Sequence, residues 1–153
     1  VSNVTGPMKL FKEKTKNTSA SIWQMPHSRS EVTIEATTLD DFLGAYPEYA
    51  QSISLIKMDI EGAEGLALQG MVKTLERNRS VAITSEIHGV GLEACGTPVA
   101  EYIRRWQELG FTVEEISEEE KEIRPVDVES FSRLYTADQH TYTNILCRRP
   151  VAE

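Results

Sequence analysis

An α/β fold follows from three stretches of the sequence. "ISLIKMD" is an apolar run too short for a typical helix, closed by an acid and followed by Leu68, Met71, Val72 and Leu75 at helical spacing. "SVAITSEIH" repeats the pattern, with Val99, Tyr102, Ile103 and Trp106 on one helical face behind it. "FTVEEI" and "TYTNILCRR" then read as closing strands. Strand, helix, strand, helix, strand marks a parallel sheet with right-handed crossovers, in which ligands bind beyond the carboxyl ends of the strands. The 153 residues suit one α/β domain spanning 1–153.

In chain order, "MKLFKEK" (Met8 to Lys14) and "SEVTIEATT" (Ser30 to Thr38) predict short strands. The second alternates Val32, Ile34 and Ala36 with polar residues. The Ser/Thr/Asn-rich stretch between them reads as a loop or hairpin connection, and Asn17, Thr18, Ser19 and Ser21 in it as a solvated segment. "TLDDFLGAY" predicts a short helix with Thr38 as cap and Asp41 at the capping-box distance. "ISLIKMD" predicts a strand buried on both faces, then a helix from Ala63 to Arg77. "GVGLEACGT" reads as a loop. Thr97 then fits an N-cap, Pro98 a first helical position and Gly110 a helix stop. Ser117 to His140 is acidic at its start and has no clear period, and "EEISEEEKE" reads as a solvated face.

Composition narrows the function. A formal charge of −8 argues against a nucleic-acid binder, which needs clustered Lys and Arg. No apolar stretch reaches the ~18–20 residues of a membrane helix, and no signal-peptide pattern opens the chain. Cys95 and Cys147 lie far apart without CxxC spacing, as expected of free thiols in a reducing, cytoplasmic setting. Sequons at Asn3, Asn17 and Asn78 matter only in a secreted protein. The chain opens "VSNVTGPMKL" without an initiating methionine, as a piece of a longer protein would.

The candidate site lies at the two central strand ends. Asp59 follows "LIKM" directly and is expected to face the crevice. Glu64 suits the start of a helix, where a carboxylate meets the helix dipole, worth ~0.3–1 kcal/mol. Glu61 is open between these two roles, and Gly62 and Gly65 allow a sharp turn and close approach to the backbone. Glu86 and His88 share a strand face across Ile87 and form a candidate acid–base pair. The same acids and imidazole suit Mg or Mn, but nothing in their spacing forces a metal and none is assigned. His27 and His140 stand alone in loop-like segments and carry no argument.

"TTLDDFL", "SLIKMDIEGAEGLALQGM" and "VAITSEIH", in this order and spacing, closely resemble the C-terminal half of FkbM-type methyltransferases. The resemblance covers about Val1 to Leu109. It implies a Rossmann-like class I methyltransferase sheet, mostly parallel with an antiparallel last strand, here without its first strands. It also implies transfer of methyl from S-adenosylmethionine to a hydroxyl of a small molecule or saccharide. Asp59 would then face cofactor and acceptor, with His88 or Glu86 taking the proton, and Glu61, Gly62 and Glu64 lying on the substrate side. The family's glycine-rich cofactor-binding turn is not present, so no cofactor-binding residue is assigned. An uncovered edge of the central sheet would call for a homodimer or further chain. Two other readings compete with the enzyme: a non-catalytic α/β binding or dimerisation module, and a metal-dependent hydrolase on the same strand ends.

Overall fold

The structure, a computed structural model, describes residues 1–13, 20–24, 28–136 and 141–150. Two sheets carry the chain. The first is an antiparallel set in the order β2-β1-β3, built from β1 (Gly6–Glu13), β2 (Ala20–Ser21) and β3 (Ser28–Ala36). Met8 pairs with Ile34 and Leu10 with Val32, in the register that the period-two pattern of β3 requires.

Helix α1 (Leu39–Ala45) starts where expected, with the Thr38 hydroxyl accepting the Asp41 N–H at 2.9 Å. A short 3₁₀ turn (Pro47–Tyr49) leads toward β4 (Leu55–Met58). The expected helix from Ala63 to Arg77 is two helices, α2 (Glu64–Gln69) and α3 (Val72–Arg77). The break falls at Gly70, where a Cβ would lie 2.0 Å from the Ser2 carbonyl oxygen. Asp40, far away in sequence, caps the restart: its carboxylate accepts the N–H groups of Lys73 and Thr74 at 3.0 and 2.8 Å and the Thr74 hydroxyl at 2.7 Å. Tertiary capping therefore splits what periodicity alone reads as one helix.

The five-stranded sheet runs β4-β5-β8-β6-β7, with β5 (Ala82–His88), β6 (Thr112–Ser117), β7 (Glu122–Pro125) and β8 (Tyr142–Arg148). It is a mixed α/β sheet. β4, β5 and β6 point the same way, and the last strand inserts antiparallel between β5 and β6. That insertion leaves β4–β5 as its one parallel pair among the described residues, so the expectation of a mostly parallel sheet is corrected. β4 is an edge strand, not one buried on both faces: Met58 enters the core while Leu55 and Lys57 are exposed.

Two segments read without strand or helix signals contain such elements, and one helix cap differs from expectation. "GVGLEACGT" contains helix α4 (Gly89–Ala94), since its glycines serve close approach: a Cβ on Gly89 would meet the Tyr135 carbonyl at 2.2 Å. Pro98, not Thr97, caps α5 (Val99–Glu108), because the Thr97 side chain is buried against Gly65. Ser117 to His140 holds β7 and α6 (Val128–Leu134), the latter capped by Asp127 accepting the Ser130 N–H at 2.9 Å.

Leu68, Leu75, Ile83, Ile87, Trp106 and Ile145, all at most 2% exposed, form the core between helices and sheet. The Asn78 amide is buried and donates to the Ala50 and Thr74 carbonyls, so its sequon is a structural tie and offers no glycan a foothold. Both cysteines are free thiols. No helix among the described residues is long and apolar enough to cross a membrane.

Replacing Asp40 by Ala strips the α3 amides of their acceptor. Urea unfolding is expected to show a loss of about 1–2 kcal/mol, as for a lost N-cap.

Candidate functional site

The parallel register of β4 and β5 sets Met58 beside Ser85, so both strands deliver their acids at the same sheet edge. Asp59 follows β4 and is exposed, its Oδ2 2.7 Å from the Lys57 ammonium. Glu61 takes a left-handed conformation, φ 57°, and Gly62 follows at φ 97°. This turn sits directly on α4: a Cβ on Gly62 would lie 2.3–2.6 Å from backbone atoms of Gly91. Gly62 is thus needed for the packing of protein on protein.

Glu64 opens α2 and is 0% exposed. Its Oε1 accepts the Ile60 N–H at 2.9 Å, while Oε2 is buried without a hydrogen-bond partner among the described residues. Burial pushes this carboxyl above its ordinary range, partly opposed by the amides of the turn. The carboxylate ties the turn's backbone together from inside, more than a solvated dipole partner would.

Glu86 is half-buried at the end of β5. Burial, then the charges of Asp59, Glu61 and Glu64, push its carboxyl up to about 7, with Lys57 pulling the other way. His88 is buried, its ring stacked on Tyr142 at 4.4 Å and 6.4 Å from the Trp23 ring. Asp59, Glu61, Glu64 and Glu86 therefore act on one another, but they open onto different spaces. Asp59 and Glu61 border a cavity of about 420 Å³ whose other wall is the apolar face of the first sheet, including Met8, Leu10 and Ile34. Glu86 borders a polar cavity of about 430 Å³ with Tyr142, Asn144, Glu115 and Arg124. Among the described residues no group of three or more His, Cys, Asp or Glu is arranged to hold a metal ion.

Several neighbours carry no sequence signal for this place. Ser21, expected in a solvated segment, is buried, and its hydroxyl donates to the Glu61 carbonyl at 3.1 Å. The Trp23 indole donates to the same oxygen at 3.0 Å. Asn17, Thr18 and Ser19 lie outside the described residues, as do His27 and His140. Glu115, read as part of a solvated run, is 4% exposed. It accepts from Arg124 Nε at 2.8 Å, from the Thr143 hydroxyl at 3.1 Å and from the Tyr135 hydroxyl.

A model of the methyltransferase FkbM domain matches residues 2–113, the span that carries β1 to β5 and both acid-bearing strand ends. The chain belongs to this family. The FkbM match ends at Val113, so most of the wall of the Glu86 cavity, from Glu115 to Asn144, lies beyond it. No curated protein and no solved structure matches the chain.

Two outcomes follow. Gly62→Ala is expected to cost at least about 2 kcal/mol in urea unfolding, from a positive φ combined with overlap on Gly91. For Glu86, a folded-state value raised from 4.5 to about 7 means the fold favours the protonated form. Its contribution is full below about 4.5 and is lost as pH rises through about 7. Glu86→Gln should therefore raise the urea midpoint relative to the parent at pH 8 and change it less at pH 5.

Proposed function

We propose that this FkbM-family chain carries the acceptor side of an S-adenosylmethionine-dependent O-methyltransferase acting on a hydroxyl of a sugar or natural product. The observation that carries this reading is Glu86, a carboxyl poised near neutral pH at a strand end, inside a family of methyltransferases. The β8 strand running antiparallel in the central sheet supports a Rossmann-like class I arrangement.

The residues fit one end of the cofactor. Asp59 and Glu61 offer carboxylates, suited to a cationic sulfur and an ammonium, beside an apolar wall. The buried glycines 62, 65, 70, 89 and 91 are closed off by protein atoms, so among the described residues they leave no cradle for a nucleotide. S-adenosylmethionine supplies a methyl group on a cationic sulfur. The chain's own task is to hold an acceptor hydroxyl in line and to remove its proton. Glu86 in its ionised form would take that proton as the oxygen bonds to the methyl carbon and the carbon–sulfur bond breaks, the electron pair leaving with the neutral thioether. Asp59 and Glu61 bind and orient from the cavity that they border. Gly62 and Glu64 keep the turn in shape, and His88, stacked on Tyr142, fixes the strand end that presents Glu86.

Calorimetry with S-adenosylhomocysteine tests the reading, on this chain and on one extended by its encoded upstream residues; no heat from either would overturn it. With a labelled methyl donor and a panel of sugars and alcohols, transfer should rise with pH through about 7 and level off, as ionised Glu86 becomes available. Glu86→Gln should abolish that rise and lower kcat by roughly 10²–10⁴-fold.

A further inference from the structure

Four residues of the first sheet's short strand and its continuation face two ways. Ala20 and Ile22 line the cavity that Asp59 and Glu61 border. Ser21 and Trp23, alternating with them, turn to the other side and both donate to one atom, the Glu61 carbonyl oxygen. The pairings span 40 and 38 residues of sequence, so no local propensity produces them. They close on a residue in a conformation that side chains disfavour, a glutamate at φ 57°, which lies between Asp59 and Gly62. Trp23 also donates its backbone N–H to the Ser21 hydroxyl at 3.3 Å, so the two donors brace each other. Its ring reaches toward His88, which in turn stacks on Tyr142 of β8.

We propose that Trp23 and Ser21 are positioning residues: by gripping the Glu61 carbonyl they fix the acid-bearing turn, and with it Asp59, against the end of β5. This rests on the reading of the site as the acceptor side of a methyltransferase for its catalytic meaning, but not for its physical content. Two donors on one strained carbonyl are worth more than their number, because a φ above zero on a glutamate is held by its surroundings. Releasing them lets the turn relax without unfolding the core, since Met58, Leu68 and Ile87 keep their buried packing. The consequence reaches Glu86, whose carboxyl is raised by the charges of Asp59 and Glu61 after burial. Glu64 and Lys57 also act on it, His88 shares its strand, and Glu115, Arg124 and Tyr142 border the same cavity. Of these, Asp59 and Glu61 belong to the turn that the grip holds.

The test uses the full chain with Trp23→Phe, which keeps an aromatic ring and removes the N–H, and Ser21→Ala as a smaller second change. Amide hydrogen exchange should quicken roughly tenfold over Ile60–Glu64, with Val99–Glu108 unchanged. The Glu86 carboxyl, followed by carbon NMR, should titrate lower in the variants, toward its ordinary value. A merely structural loss would quicken both segments alike and leave the Glu86 titration where it was. Uniform quickening, or no change at Ile60–Glu64 in both variants, overturns the proposal. Neither readout needs methyl transfer, so absence of S-adenosylhomocysteine binding would remove the enzyme reading and leave this result standing. Where transfer is measurable, kcat should fall about tenfold with KM nearly unchanged, the pattern of lost positioning.

Discussion

A Cβ on Gly62 would sit closer to the backbone of Gly91 than any side-chain carbon can, so the turn after β4 and the helix after β5 touch main chain to main chain. The site is built around that contact. It goes with Gly62 at φ 97° and Glu61 at φ 57°, and beneath the turn lies Glu64, whose carboxylate holds the Ile60 amide. It also brings the acids after β4 near enough to Glu86 to act on it. A methyl group at either glycine would overlap the backbone facing it.

Around that contact, order comes from pairings between distant parts of the chain. Asp40 starts α3, Asn78 ties the end of α3 to the segment before β4, and Ser21 and Trp23 hold Glu61. Each satisfies backbone groups that the local sequence leaves open, as buried polar groups require. The β4 edge is the opposite case: its outer side has no strand beside it among the described residues, and Leu55 stands exposed there.

Local signals were readable where the physics is local. The Thr38 cap, the faces of α5 and the closing strands follow from spacing alone, and Asp59, Glu61, Glu64 and Glu86 could be named because strand ends in α/β sheets collect ligand-facing groups. Their division of labour could not. Whether an acid at a turn is solvated, like Asp59, or sealed, like Glu64, depends on what packs above it. The glycines of "GVGLEACGT" look like loop residues until α4 is seen to press against the turn and Tyr135. Glu115 looked like one of a solvated run until Tyr135, Thr143 and Arg124 closed over it from three other elements.

The alternation in Ala20–Ser21–Ile22–Trp23 separates two kinds of change. Residues 20 and 22 line the cavity, whereas 21 and 23 turn toward the Glu61 carbonyl. Substituting one face alters what is admitted and leaves the grip on Glu61 intact. Single steps at Ile22 can therefore reshape that cavity without displacing the carboxylates of the turn.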